Sequence, residues 1–294
     1  MKKKDRIIFL VVAMIPALTL FVTFYLIPIG GLLYTSFFKW DSIKMEEFIG
    51  FANYIQMFHD PVFWQALRNN ISWSLIAAFI HIPMALLIAL ILNGKPKGWK
   101  NFRTIYFLPH VISITAFAVI YISVFNPSFG LLNAVLRVLG MNKYSNINWL
   151  FHPYWAWKAI ISTWIFHIGL FATIFLAKIT SIPIELYEAA KIDGASPIKQ
   201  DLCITIPLLK NIIGVCIILD VTGGLRYFEG LYIMTNGAPN WKTETLALLI
   251  YQQLRLIHNS YANTVGVALL VLGLLVVLLF SRLFRLGKSE EVAE

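Results

Sequence analysis

Long apolar runs separated by short polar stretches dominate the chain. Six runs are long enough to cross a hydrocarbon core, which takes about 20 helical residues: 7–36, 69–93, 104–125, 155–177, 204–225 and 262–284. The pattern predicts an all-α integral membrane protein with six transmembrane helices. The first run is longer than a span requires and contains Pro16 and Pro28, so a kink or a tilted, extended end is expected there. Between the fourth and fifth runs lies a charged stretch, 181–203. No low-complexity segment, Gly/Ser linker or internal repeat interrupts the series. The expectation is one polytopic membrane domain over 1–294, with an N-terminal helix at 7–36, a core at about 65–285 and the loop 181–203.

Composition agrees with the pattern. Of 294 residues, 59% are hydrophobic and 13% charged, against about 25% charged in a soluble domain. The mean hydropathy is +0.73. A formal charge of +9 raises the question of nucleic acid, but the basic residues sit beside apolar runs and form no stripe interleaved with aromatics, so no nucleic-acid partner is expected. Their positions orient the bundle instead. Lys2, Lys3, Lys4 and Arg6 precede the first run, and Lys95, Lys97, Lys100 and Arg103 follow the second. Lys178, Lys191, Lys199 and Lys210 surround the charged loop, and Arg282, Arg285 and Lys288 close the chain. The positive-inside rule then places both termini and the 178–203 loop in the cytoplasm. Trp40, Trp149, Trp155, Trp157 and Trp241 fall in the opposite loops, consistent with interfacial anchoring. Met1–Arg6 leads into an apolar run without a small-residue cleavage site, so the first run is expected to remain as an anchor.

Candidate chemistry is sparse. Cys203 and Cys216 fall in one predicted helix, about 20 Å apart, too far for a disulfide, and no metal-ligand spacing is present. His59, His81, His110, His152, His167 and His258 form no zinc motif. His81 and His167 are expected to be packed or hydrogen-bonded within the bundle. Gly287-Lys288-Ser289 mimics the end of a P-loop, but the first glycine would stand where Arg282 is. Asp220 lies inside the fifth run. An intramembrane carboxylate is a functional-site candidate by default, though it can also pair with another helix or face water.

The 181–203 loop has a readable shape. Pro183 suits a first helical turn, and Glu185 and Glu188 complement the helix dipole. Ile184, Tyr187, Ala190 and Lys191 recur at spacings of three and four, predicting a short one-sided helix. Gly194 stops it as a left-handed C-cap, and Ser196-Pro197 starts a second helix. Ala189, Ala190 and Ala195 allow another surface to approach closely, and Glu188 and Asp193 offer charges to a basic partner. On pattern alone, a docking knob and an ordinary amphipathic loop remain equally open.

Glu188-Ala189-Ala190, two residues, Asp193-Gly194-Ala195, and then Ile206-Pro207-Leu208 resemble the EAA loop of binding-protein-dependent ABC importer permeases. The departure is Ile206, where leucine is usual. The resemblance implies a cytoplasmic coupling helix between helices 4 and 5 that lodges in a separate ATPase subunit. Tyr187, Glu188, Ala189, Ala190, Asp193, Gly194, Ala195 and Pro207 would form that coupling element, with Gly194 permitting the bend and Pro207 setting the angle of the fifth span. Further stretches are similar to the carbohydrate group of maltose and oligosaccharide type, in its first permease of a heterodimeric pair. These are Gly50-Phe51-Ala52-Asn53-Tyr54, Asp60-Pro61-Val62-Phe63-Trp64, Phe102 to Pro109, Asn126 to Asn133, and Tyr232 to Pro239, where Ala238 replaces a usual glycine. The resemblance covers roughly 15–285.

It also implies a substrate pathway. Ser162, Phe166, Gly224 and Tyr227 fall at the family's sugar-contact positions, and Asp220 is added as the intramembrane carboxylate. No catalytic residue, metal or cofactor is expected in this chain; ATP and Mg would belong to the partner ATPase. Expected partners are an ABC ATPase dimer, a second permease, an extracytoplasmic sugar-binding protein, a sugar substrate and membrane lipids, in the bacterial cytoplasmic membrane. The alternative is an ion-coupled secondary transporter of a small polar solute, which typically carries coupling carboxylates and inverted repeats. An intramembrane enzyme finds no nucleophile or metal constellation to support it.

Overall fold

The computed structural model describes residues 3–40 and 45–286. Lys2 and the residues from Gly287 onward, including Lys288 and the P-loop-like triplet, lie outside the described residues. Among the described residues, four helical stretches are long and apolar enough to cross a membrane: Val12–Thr35, Pro61–Asn93, Ala156–Ile179 and Asn259–Phe284. Two further apolar stretches are bent pairs. Trp99–Val111 meets Ile114–Val124 at 104°, and Pro197–Leu208 meets Lys210–Leu225 at 68°. The apolar runs at 104–125 and 204–225 are therefore broken, where hydropathy alone suggests continuous helices.

Proline and local capping explain the breaks. Pro109 cannot donate to the preceding turn. Ile112 is extended (φ −73°, ψ 138°), and the Ser113 hydroxyl accepts the Ala116 N–H at 3.2 Å to start the next helix. The second bend, at Leu209, follows Pro207. Cys203 and Cys216 accordingly occupy different helical segments rather than one, and both are free thiols.

Three spans share another device. Five-residue π-turns at Val22–Leu26, Ala77–His81 and Asp201–Thr205 each lead into an Ile-Pro pair: Ile27-Pro28, Ile82-Pro83 and Ile206-Pro207. In each, the isoleucine N–H reaches back five residues, to Val22, Ala77 or Asp201. A proline ring crowds the carbonyl four residues before it, and widening one turn relieves the clash without ending the helix. The Pro28 kink expected in the first run takes this form.

The chain divides into two compact units: residues 1–63 with 249–270, and 64–248 with 271–294. In the first, Phe38–Trp40 and Met45–Phe48 form an antiparallel hairpin. Buried Asn53 donates to the carbonyls of Ser36 (2.8 Å) and Phe38 (3.2 Å), and Ser260 exchanges two hydrogen bonds with the backbone of Trp40. Asp60 accepts the Val62 N–H at 2.8 Å and the Tyr261 hydroxyl at 2.5 Å. The second unit has an apolar core around Trp73, Ile160, Leu231 and Leu248. There the Asn69 amide donates to the carbonyls of Lys242 and Glu244, and Asn70 Oδ1 accepts the Leu246 N–H. Such side chains meet the obligation to pair buried backbone groups where helices give way to loops.

Candidate functional site

Irregular backbone inside an apolar bundle is tolerated only where protein or a cavity covers it. In the second unit, three irregularities converge on one cavity of about 300 Å³. His81 ends the π-turn Ala77–His81. His110 stands in the last turn before the 104° bend, whose Ile112 and Ile114 also line the cavity. His167 lies in a turn at 166–168 that interrupts the span Ala156–Ile179. Gly169, just after that turn, lets the backbone of Tyr106 and Phe107 come so close that a Cβ would overlap it. Lys210–Leu225 supplies the remaining wall with Asp220, Gly223 and Gly224, followed by Tyr227.

The electrostatics centre on His81 and Asp220. Their side chains are 0% and 4% exposed, and His81 Nδ1–H donates to Asp220 Oδ2 at 2.7 Å. An unpartnered carboxylate in this setting would cost several kcal/mol, and the imidazole offsets that cost. His81 is also stacked on Trp164 (centroids 4.1 Å apart, planes 24°), while its Nε2 has no hydrogen-bond partner among the described residues. Trp73 lies 4.9 Å from Trp164 and 5.3 Å from Tyr227 between ring centroids. Gly224 packs directly on the Trp73 indole, where any Cβ would collide with it. The His167 ring lies edge-on to Phe117, and its Nδ1 is buried without a partner among the described residues. The result is an aromatic-walled cavity with a few convergent polar groups, the composition of a small-molecule site.

The second candidate site is the loop after Ile179. Pro183 is the N-cap, one residue outside the helix Ile184–Ile192, in which no residue is buried. Gly194 adopts φ +73°. Its N–H bonds the Lys191 carbonyl (3.0 Å), and the Ala195 N–H bonds that of Ala190 (2.9 Å), a full Schellman stop. The Ser196 hydroxyl then caps the helix Pro197–Gln200. Buried Gln200 donates to the Ala195 carbonyl at 2.9 Å and braces the bend from inside. Glu188, Ala189, Asp193 and Lys191 face outward, as do Ile184, Leu186, Ile192 and Ile198, at 44–88% exposure. Tyr187 instead turns inward: its hydroxyl lies 2.9 Å from that of Thr205, which donates to Asp201 at 3.0 Å. Pro207 sits at the start of the short helix Ile206–Leu208.

No protein-family model matches the chain. It is 36% identical over 283 residues to the probable ABC transporter permease protein YurN of Bacillus subtilis, covering 94% of this chain and 96% of that one. The chain belongs to the ABC transporter permeases. Another relative, the sulfoquinovosyl glycerol transport system permease protein SmoG of Agrobacterium fabrum, is 34% identical over 96% of the chain and 91% of its own length. Among solved structures, a bacterial alginate ABC transporter in complex with alginate pentasaccharide-bound periplasmic protein contains a chain similar to it. That match has 26% identity, a TM-score of 0.82 and coverage of 97% of this chain and 96% of that one.

The permease gathers three of its sequence-predicted pathway residues, Asp220, Gly224 and Tyr227, on the cavity. The other two are elsewhere. The Ser162 hydroxyl donates to the Ala159 carbonyl at 2.7 Å, and Phe166 is 57% exposed on the outside of the 166–168 turn. Sequence reasoning missed Trp164 and His110 as wall residues, Trp73 as the buried ring behind Gly224, and His81 as the partner of Asp220. The Ile82-Pro83 pair inside a span was a partial signal for His81: three of the Ile-Pro pairs follow a widened turn, whereas Ile15-Pro16 stands in a regular helix. The carbohydrate-type motifs turn out to shape joints. Besides Asn53, the buried amide of Asn133 ties the Pro127 and Ile147 carbonyls and accepts the Trp149 indole N–H at 2.6 Å. Asn236 and Gly237 supply consecutive positive φ values.

Proposed function

We propose that this permease forms part of the transmembrane path of an ATP-driven importer for a sugar or oligosaccharide delivered by an extracytoplasmic binding protein. One observation carries the reading: the helix Ile184–Ile192 and its Gly194 bend present an apolar and acidic surface that no other described residue covers. A partner ATPase, holding ATP and Mg in a dimer, docks there. Glu188 and Asp193 meet its basic groups, Ala189, Ala190 and Ala195 admit close approach, and Leu186 and Ile192 are buried on contact. Tyr187 carries the displacement inward through Thr205 to the bend at Leu209. Pro207 holds the angle of that bend, and beyond it the helix Lys210–Leu225 bears Asp220 and Gly224.

A sugar is the cargo because aromatic faces suit the apolar faces of pyranose rings while His81, Asp220 and Tyr227 meet hydroxyls. The transport names of SmoG and the alginate system support it. Gly224, Tyr227 and Asp220 line the path within this chain. Ser162 and Phe166 join it at a seam with a second, non-identical permease. Counting each bent pair as one span makes six, and the Lys and Arg clusters then put both termini and the coupling helix in the cytoplasm. The site of action is the bacterial cytoplasmic membrane.

Purification of tagged permease in mild detergent tests the reading. An ATPase chain and a second permease should accompany it. A lone chain under several mild conditions, with uptake that collapses on uncoupler addition at constant ATP, would overturn it in favour of ion coupling. Reporter fusions at either terminus should be active only in the cytoplasm.

A further inference from the structure

Two adjoining cavities lie along Trp99–Val111, both outside the aromatic site. The first, about 280 Å³, is lined by Asn93, Lys95, Trp99 and Arg103 together with Thr173 and Thr180 of the facing span. The second, about 270 Å³, shares Arg103 and Thr173 with it and continues along Phe107, Leu108 and Val111. Residues 93–103 contain Lys95, Lys97, Lys100 and Arg103 and no acidic residue. Among the described residues, no carboxylate pairs with Lys95 or Arg103. The connection is folded back on itself: Lys95 and Gly98 have φ of +48° and +81°, and the Trp99 N–H bonds the Pro96 carbonyl at 3.0 Å. That turn brings the lysine to the same cavity as the arginine one helix turn beyond Trp99.

We propose that this double cavity binds one anionic phospholipid. Lys95 and Arg103 hold the phosphate, Arg103 through its planar fork, and the Trp99 indole sits at the level of the glycerol backbone. One acyl chain follows Phe107, Leu108 and Val111, of which Leu108 and Val111 are 56% and 69% exposed. Charge selects an anionic headgroup, and the apolar side of the second cavity along Phe107, Leu108 and Val111 selects a lipid over a soluble anion, which would occupy the first cavity alone. Basic pockets between membrane helices take such headgroups. Thr173 and Thr180 lie on and just beyond the span whose end leads into the 181–203 loop, so the lipid braces the root of that loop.

The full-length permease, delipidated in mild detergent, would be titrated with dioleoyl phosphatidylglycerol or dioleoyl phosphatidylcholine and read by native mass spectrometry. Phosphatidylglycerol should bind at least about tenfold more tightly. Lys95→Gln and Arg103→Gln should each weaken it about fivefold and together about thirtyfold, with Lys158→Gln as an unaffected control. Val111→Asp should weaken it as well, because it obstructs the acyl groove. Equal affinity for the two lipids, or unchanged binding in the double variant, would refute the proposal. Displacement of the lipid by equimolar inorganic phosphate, with Val111→Asp silent, would refute it too, marking a site for soluble anions.

Discussion

The His81–Asp220 pair offers a direct test of how the permease tolerates a carboxylate in its apolar interior. His81→Leu removes the 2.7 Å hydrogen bond and leaves Asp220, 5% exposed, without that partner. Breaking a buried charged pair from one side costs about 3–5 kcal/mol, whereas replacing both members with apolar residues of similar volume is often neutral. His81→Leu should therefore lower unfolding free energy by about 3 kcal/mol or more, and His81→Leu/Asp220→Leu should return to within about 1 kcal/mol of the parent. The assay is denaturant unfolding in mixed micelles, followed through the nine tryptophans. The double-mutant cycle isolates the coupling. Uptake, measured in parallel, should be lost in the double variant even as stability returns, because Asp220 also lines the cavity. Stability and transport would then separate. A His81→Leu protein within about 0.5 kcal/mol of the parent, or strictly additive losses, would refute the pairing argument.

Two further outcomes are expected. Gly194→Val places a β-branched residue at φ +73°, where an L-residue already costs about 1–2 kcal/mol; like Glu188→Arg, it should abolish uptake while membrane insertion stays normal, and normal uptake in both would sink the coupling assignment. Gly224→Ala drives a methyl into the Trp73 indole, an overpacking of about 1–3 kcal/mol. It should lower stability and weaken substrate binding together, checked by melting and by labelled-sugar binding to the purified complex.

Much was legible before any coordinates because it is local. The apolar runs report the solvent they sit in, and the shape of the 181–203 loop follows from residues that act on their own backbone. Pro183 and Ser196 start helices, and Gly194 stops one by occupying a left-handed conformation that other residues resist. The exposed face of that loop was readable because one short stretch holds all of it.

Hydropathy, by contrast, did not reveal that two runs bend by 104° and 68°. Transfer free energy depends on what a side chain is, not on the direction its backbone takes. Whether a break such as Ile112 is tolerable depends on what covers it. Likewise nothing near Asp220 in the sequence names His81, 139 residues away. Their meeting requires two helices in register, with a π-turn that sets the imidazole at its end. Ser162 and Phe166 show the same limit from the other side: the family resemblance places them among the sugar-contact positions, but neither lines the cavity within this chain. The sequence by itself determined the membrane class, the loop and its caps. Only the tertiary structure decided which polar groups face one another, because in an apolar bundle a polar group's cost is set by the partner that the fold brings to it.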